Sequence, residues 1–506
     1  MERRSFLKSS GAMTCGFMAA SSLITKELFA NQPVSGNLFN IPRPLDTRLN
    51  IKPLFGVRIP DELHEGPCRP DDPVTWDKEM AISKARQSYE KWSNNLNIEL
   101  DKNVKILDPV YVQYAGDHRI NETTWKEIIA DDYDTDLYVL SHYRIPGLGE
   151  HTDKPIAVVG NACATLDVTA NLISNGETAY GAINYDKLED IIAGLKVKKA
   201  LQGTGLLLVT DGQWEYEFNA VRSNINTDIL RDKFGIHTHY ITIEKMMHEF
   251  LEVKKEKKYR DEAAKITKNL IENAQSNTMK YEDIEPSVFY YLTAKKLMER
   301  YGCNAFTATC QEFCVSTLPM QHRVTPCITH TFLKDEGYVS VCEADVNVFF
   351  SMALQMYLAN RAPYMGNTLV NNLDKDLVSI HHDVPARKMM GYDSRDLPYS
   401  LVSFTERNWG PTMRYDFSRD KGKDVTFCRM TPNADKILII KGQVEDVMGL
   451  DEWGCQLKAI IKVPDASTYF ELAQQTGHHF SMVYGDYIYE MEKLAEILNF
   501  DSDILA

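Results

Sequence analysis

Several stretches of this 506-residue chain carry side chains able to do chemistry together. The apolar run Tyr338-Val339-Ser340-Val341-Cys342 stops abruptly at Glu343-Ala344-Asp345, two carboxylates one residue apart, and an apolar helix pattern runs on from Val346 to Leu358. Upstream, a similar run from Asn304 to Thr309 stops at Cys310-Gln311-Glu312, and two histidine pairs, His381-His382 and His478-His479, stand nearer the end of the chain. Carboxylate oxygens with one or two imidazoles suit a divalent ion such as Mn²⁺, whereas a thiolate-rich set favours zinc. An ion held this way with open positions polarises a carbonyl and holds two adjacent sugar oxygens. A flanking carboxylate can then move a proton between neighbouring carbons. Taken singly, each acid is more often a helix cap or a loop carboxylate; their joint placement after strand patterns is what points to a site.

The elements that must position these groups read as α/β. Strand patterns at Val104–Val112, Leu137–Ser141 and Ile156–Gly160 alternate with helix patterns at Thr124–Ala130 and Leu166–Ser174, which predicts a parallel sheet covered on both faces. A second unit begins with the helix Tyr185–Leu201 and the strand Gly205–Thr210. It continues through a helix near Phe218–Phe234, a strand Thr238–Thr242, a charged helical stretch Glu244–Ala274 and a helix Glu285–Tyr301, and closes with the two runs that end in carboxylates. Ligands of open α/β sheets bind beyond the carboxyl ends of the strands, where Glu312, Glu343 and Asp345 stand. Past Ala362 the pattern changes: Thr426–Arg429, Ile437–Ile440 and Gln456–Val463 resemble antiparallel strands between Gly and Asp turns, and a helix spans Tyr487–Leu498. The expected units are an N-terminal α/β domain over 31–187, a second over 188–361, and a β-rich domain over 362–506. Prolines 42, 44, 53 and 60 and the run Gly66-Pro67-Cys68-Arg69-Pro70 mark the segment from residue 31 to the helix pattern at Asp77–Asn94 as irregular.

With 56 Lys and Arg against 71 Asp and Glu, the chain carries a formal charge of −15, which argues against nucleic acid or an anionic membrane as the main partner. A small ligand is easier to accommodate. Glu2-Arg3-Arg4-Ser5-Phe6-Leu7-Lys8, the mildly apolar stretch Ser9–Ile24 and the ending Leu28-Phe29-Ala30 have the layout of a twin-arginine export signal cut after Ala30. Export to the periplasm in the folded state is the expectation, with a metal loaded beforehand. No later segment is long and apolar enough to span a bilayer. The cysteines beyond the signal lack a regular framework spacing and read as buried free thiols. Cys310, Cys314, Cys327 or Cys342 with His322 is the zinc alternative, for which no second Cys pair exists. His118 and Arg119, in the polar stretch Asp117–Trp125, are candidates to reach substrate or a neighbouring subunit, against the reading of a plain loop. Trp409 and Trp453 are candidate sugar-stacking platforms, against the commoner core aromatic.

With these residues in view the chain resembles the L-fucose isomerase and L-arabinose isomerase superfamily. Cys342-Glu343-Ala344-Asp345 and its helix are similar to the family's Glu-x-Asp segment. Cys310-Gln311-Glu312 stands where the upstream catalytic Glu lies, and His478-His479-Phe480 to Gly485 resembles the segment carrying the metal-binding His. The resemblance implies two Rossmann-like α/β domains followed by a β-barrel-like domain, assembled into homo-oligomers, trimers or hexamers. It implies a divalent ion, Mn²⁺ first, on Glu312, Asp345 and His479, with Glu343, His381 and His478 as additional candidates. The implied reaction interconverts an aldose and a ketose through an ene-diol, Glu312 and Asp345 exchanging the proton. The position before the ligand His, Asn in fucose isomerases, is His478 here, so substrate contacts do not carry across. Two alternatives stand beside this reading: an exported carbohydrate-active enzyme using the site for epimerisation, lyase or hydrolytic chemistry, and a sugar-binding protein without turnover.

Overall fold

The computed structural model describes residues 34, 36, 38–61, 77–100, 104–141, 143–212 and 225–506; the side chains at 97–99, 311, 312 and 315 are outside that description. The twin-arginine stretch and the run 66–70 therefore lie outside the described residues.

Six strands build the first sheet: β1 (Leu49–Arg58), β2 (Val104–Ile106), β3 (Val110–Tyr114), β4 (Leu137–Ser141), β5 (Ile156–Val159) and β6 (Ala179–Ala182). All pair in parallel, in the order β2-β1-β4-β5-β6, with β3 also on β1. The central strand β1 falls inside the segment that its prolines mark as irregular. A parallel strand buried on both faces shows no alternation to reveal it, and β1 is buried without a break from Ile51 to Gly56, Pro53 lying opposite Val139. The single strand expected at 104–112 is two, β2 and β3, both laid along β1.

The second sheet contains β7 (Gly205–Val209), β8 (His237–Ile241), β10 (Ala305–Ala308) and β11 (Val339–Cys342), all parallel, in the order β11-β10-β7-β8. Between β8 and β10 lie the two-residue β9 (Ser276–Asn277) and three helices, Ile243–Lys255, Lys257–Asn273 and Tyr281–Arg300. After β11 comes the helix Val346–Ala359, buried on every side through Tyr357. A helix apolar all round has to be enclosed, and this one lies between the second sheet and the strands of the C-terminal part.

The C-terminal part is a closed six-stranded antiparallel barrel. Its strands are β12 (Tyr364–Asn372), β13 (Leu377–His381), β16 (Asp424–Met430), β17 (Lys436–Met448), β18 (Lys458–Lys462) and β19 (His479–Tyr484); the β16–β17 pairing closes the ring β16-β19-β12-β13-β18-β17. The hairpin β14 (Ser400–Ser403) and β15 (Pro411–Arg414) pairs instead with β9, and β20 (Asp501–Leu505) lies parallel on the outside of β17. Alternation divides the barrel wall: Tyr364, Ile380, Ala459 and Phe480 fill the interior, while Met365, Cys428 and Ile439 pack outward with the Val346–Ala359 helix. Gly366 has to be glycine, because a Cβ there would stand 2.6 Å from the His381 backbone. The carboxyl end of β11 thus abuts the outer wall of the barrel where β12, β13 and β19 run.

Candidate metal centre

At the end of β11 the backbone turns left-handed at Glu343 (φ 64°) and again at Ala344 (φ 53°). Each such non-glycine residue costs on the order of 1 kcal/mol, and the pair is held by the strand before it and the cap after it. Asp345 is that cap: its Oδ1 accepts from the Val348 backbone N–H at 2.9 Å. The turn directs Glu343 at the barrel wall. There its Oε1 lies 3.4 Å from His382 Nε2 and its Oε2 3.4 Å from His479 Nε2. One donor atom from each of Glu343, His382 and His479 lies within 4.8 Å of the others, and among the described residues this is the grouping that can hold a metal ion.

The donor set fits a cation on its own chemistry. His479 Nδ1 lies 2.9 Å from Asp345 Oδ2, so Nδ1 carries the proton and Nε2 presents its lone pair toward Glu343. That Nε2 is buried and finds no hydrogen-bond partner, which an ion at this point explains. A carboxylate behind a ligating imidazole is the usual means of fixing its tautomer and ring. Asp345 is itself held by Arg429, whose Nη1 lies 2.8 Å from Oδ2 and donates to the His479 carbonyl at 2.7 Å. Burial pushes the Asp345 carboxyl up, but Arg429 and His479 outweigh it and hold the group well below the usual carboxylate range. Glu343 likewise is pushed up by burial and pulled further down by His382 and His479, to about 2. Both are therefore ionised at neutral pH.

His382 follows the last residue of β13. Its backbone N–H donates to Tyr364 Oη at 2.9 Å, Tyr364 Oη donates to its carbonyl at 2.7 Å, and Asn367 Nδ2 lies 3.3 Å from its Nε2. Burial opposes a proton on His382, but Cys455 and Glu343 outweigh it and raise the imidazole above its ordinary value; a divalent ion displaces that proton on binding. His381 and His478 flank the group, each pushed down to about 4, first by burial and then by adjacent imidazoles. They are neutral donors and acceptors at pH 7.

Of the residues singled out in the sequence, Glu343, Asp345 and His479 meet here, with His381 and His478 beside them. Glu343, ranked behind Asp345 by the motif, is the one that faces both imidazoles, and Asp345 stands behind His479. The helix Cys310–Val315 starts at the end of β10, the neighbour of β11, so Glu312 belongs to the same sheet edge, but its side chain lies outside the described residues. His382 is the residue that sequence reasoning passed over for His381; the pair was visible, and only the point at which β13 ends distinguishes its members. His118 and Arg119 sit on the exposed turn after β3, His118 beside Tyr114 and Arg119 beside Asp117. Trp409 is half-buried in the β14–β15 turn, its carbonyl accepting from Ser403 and Thr405. Cys310 and Cys314 approach to 3.6 Å between sulfurs, while His322 lies against Phe250. A cavity of about 680 Å³ lined by Phe39, Lys295, Glu336 and Arg387 shares no residue with the centre, and several of its charges pair with one another, as Lys295–Glu336 at 2.5 Å and Arg387–Asp335 at 2.7 Å.

No family model matches the chain. It is similar to the sulfoquinovose isomerases of Priestia aryabhattai and Priestia megaterium, 22% identical over 407 residues, which is 76% of this chain and 86% of theirs. A sulfoquinovose isomerase of Alkalicoccus urumqiensis is 29% identical over 178 residues, 34% of this chain and 39% of that one. The likeness carries the class: the chain is an enzyme of the sugar isomerase kind.

Proposed function

We propose that this protein is a metal-dependent aldose–ketose isomerase acting on a monosaccharide through an ene-diol, with a sulfonated hexose of the sulfoquinovose type as its substrate. The observation that carries the reading is the convergence of Glu343, His382 and His479 at a strand end, in a chain similar over three quarters of its length to sulfoquinovose isomerases.

Glu343, His382 and His479, with Glu312 from the same sheet edge, hold a divalent ion, Mn²⁺ first, since an oxygen and imidazole set suits it. When bound, the ion supplies Lewis acidity toward the C1 and C2 oxygens of the sugar. Glu312 is the proton carrier: it takes the proton from C2 of the aldose to give the ene-diol and returns it to C1, while the hydroxyl proton passes from O2 to O1. Asp345, whose oxygens are already engaged by Val348, Arg429 and His479, orients His479 rather than sharing the proton transfer. His381 and His478 hydrogen-bond sugar hydroxyls. The twin-arginine stretch delivers the protein to the periplasm, and the protein assembles as a homo-oligomer.

The test is solvent deuterium incorporation into the sugar, followed by NMR, in metal-stripped and Mn²⁺-reloaded samples. Exchange at C1 of the ketose or C2 of the aldose is expected only after reloading. Equal rates in the stripped sample would overturn the reading.

A further inference from the structure

We propose that Lys458 selects the substrate by pairing with a strong-acid anion, a sulfonate, at the end of the sugar remote from the carbonyl. The inference rests on the isomerase reading above and assigns the far end of the same site.

The barrel register carries it. His479 on β19 lies directly opposite Asn367 on β12, Asn367 opposite His381 on β13, and His381 opposite Lys458 on β18. Residues directly opposite in an antiparallel pair project from the same face. The four side chains therefore form one row on the outer face of the barrel wall, starting at a metal-centre imidazole and ending at an ammonium. Adjacent strands lie about 4.8 Å apart, so the row runs roughly 14 Å from the His479 Cα to the Lys458 Cα. That span leaves room for an open-chain hexose to lie along the wall between the two ends.

The groups along the row match such an occupant. Asn367 and His381, between the two ends, are partly exposed hydrogen-bonding groups, and His381 Nδ1 has no partner of its own. They face the middle of the sugar, where its hydroxyls are. Lys458 is partly buried and, unlike the cations that hold the site together, stands within ion-pair distance of no carboxylate among the described residues, whereas Arg429 is committed to Asp345 and Arg414 to Asp383. Opposite Lys458 on its other side lies Met448, which brings no charge. A plain surface lysine is the alternative; what sets this one apart is that it shares its row with the metal centre. A compact ammonium with three donors suits a tetrahedral anion whose oxygens are equivalent.

Lys458→Met and Lys458→Arg test this on the full-length, metal-loaded protein with two hexoses that differ only at C6, one sulfonated and one bearing hydrogen. For Lys458→Met, KM for the sulfonated sugar is expected to rise at least tenfold while kcat changes little, and kcat/KM for the uncharged sugar to stay within twofold. Lys458→Arg is expected to recover most of the loss. Calorimetric titration of the sulfonated sugar into the same proteins, with and without metal, should show the weakening in both states. Equal losses with both sugars, or no loss with either, would overturn the role of Lys458 and leave the isomerase reading standing. Wild-type protein that turns over neither sugar overturns the isomerase reading and this inference with it.

Discussion

Two buried Asp–Arg pairs flank the centre, one beside each of His479 and His382, and they do different work. Asp345–Arg429 (2.8 Å) and Asp383–Arg414 (2.5 Å) are both fully enclosed. Asp345 spends its second interaction on His479 Nδ1, and with Arg429, His479 and the Val348 N–H its carboxyl is held low. Asp383 is next to His382 in the chain yet turns away from it: its oxygens accept from Arg414 and from the Leu457 backbone. Burial dominates there, and the Asp383 carboxyl is raised despite its arginine. Arg414 in turn donates to the carbonyls of Gly449, Glu452 and Gly454, so that pair pins a loop, whereas Asp345–Arg429 orients the His479 ring. The same two side chains orient an imidazole in one place and staple a loop in the other, according to what the remaining lone pair meets.

The largest expected effect tests the structural side of this contrast. Arg414→Met leaves Asp383 buried without its cation, and a loss of about 3–5 kcal/mol of unfolding free energy is expected, read from urea denaturation. The protein that stays folded should still bind Mn²⁺ in the wild-type proportion. Loss of the metal with no loss of stability would reverse the roles assigned to the two pairs.

A smaller effect sharpens the functional side. Asp345→Asn removes the charge behind His479, and metal affinity should fall roughly 10- to 100-fold, whereas Asp383→Asn should change it less than about threefold on the same scale. Competition against a metal chelator measures both. Equal losses in the two variants would show that the aspartates are equivalent and dissolve the distinction.

The smallest effect concerns a third charge on the Asp383 side. Lys334 is fully buried, donates to the Val384 carbonyl, and burial brings its ammonium down to about 7. Above that pH the native state has shed a proton that the unfolded chain keeps until near its ordinary value of 10.5. The unfolded state binds more protons in this window, so stability from this group rises with pH, by at most about 1.4 kcal/mol per unit. Lys334→Met should flatten the dependence of the urea midpoint between about pH 7 and 9. An unchanged slope would mean that Lys334 keeps its proton in the native state throughout that range.

Much of this architecture is legible in the residues. The alternation of strand and helix patterns up to Cys342, the apolar helix after Asp345 and the alternating strands of the last third correspond to two parallel sheets, an enclosed helix and an antiparallel barrel. The main failure is β1, where prolines spoke for irregular structure and burial on both faces removed the alternation that identifies a strand. The long charged stretch 244–274 is two helices that break at Glu256, a break for which the sequence offers neither Gly nor Pro.

What the sequence determined by itself is the supply of groups and their neighbourhood: carboxylates at two strand ends, two histidine pairs, and an apolar helix that forces the strand end against another layer. Hydrophobic burial settles these locally, so pattern alone reaches them. Which member of each pair faces the centre was decided by tertiary structure. A shift of one residue moves a side chain to the opposite face of a sheet, and two left-handed residues at Glu343 and Ala344 redirect a carboxylate. The end of β13 at His381 separates His381 from His382. The partners that fix each group come from other strands: Asn367 is 15 positions from His382, Arg414 is 31 from Asp383, and Arg429 is 84 from Asp345. Only the closed barrel wall brings Lys458 into line with His479, because that alignment is a property of register across four strands rather than of any one of them.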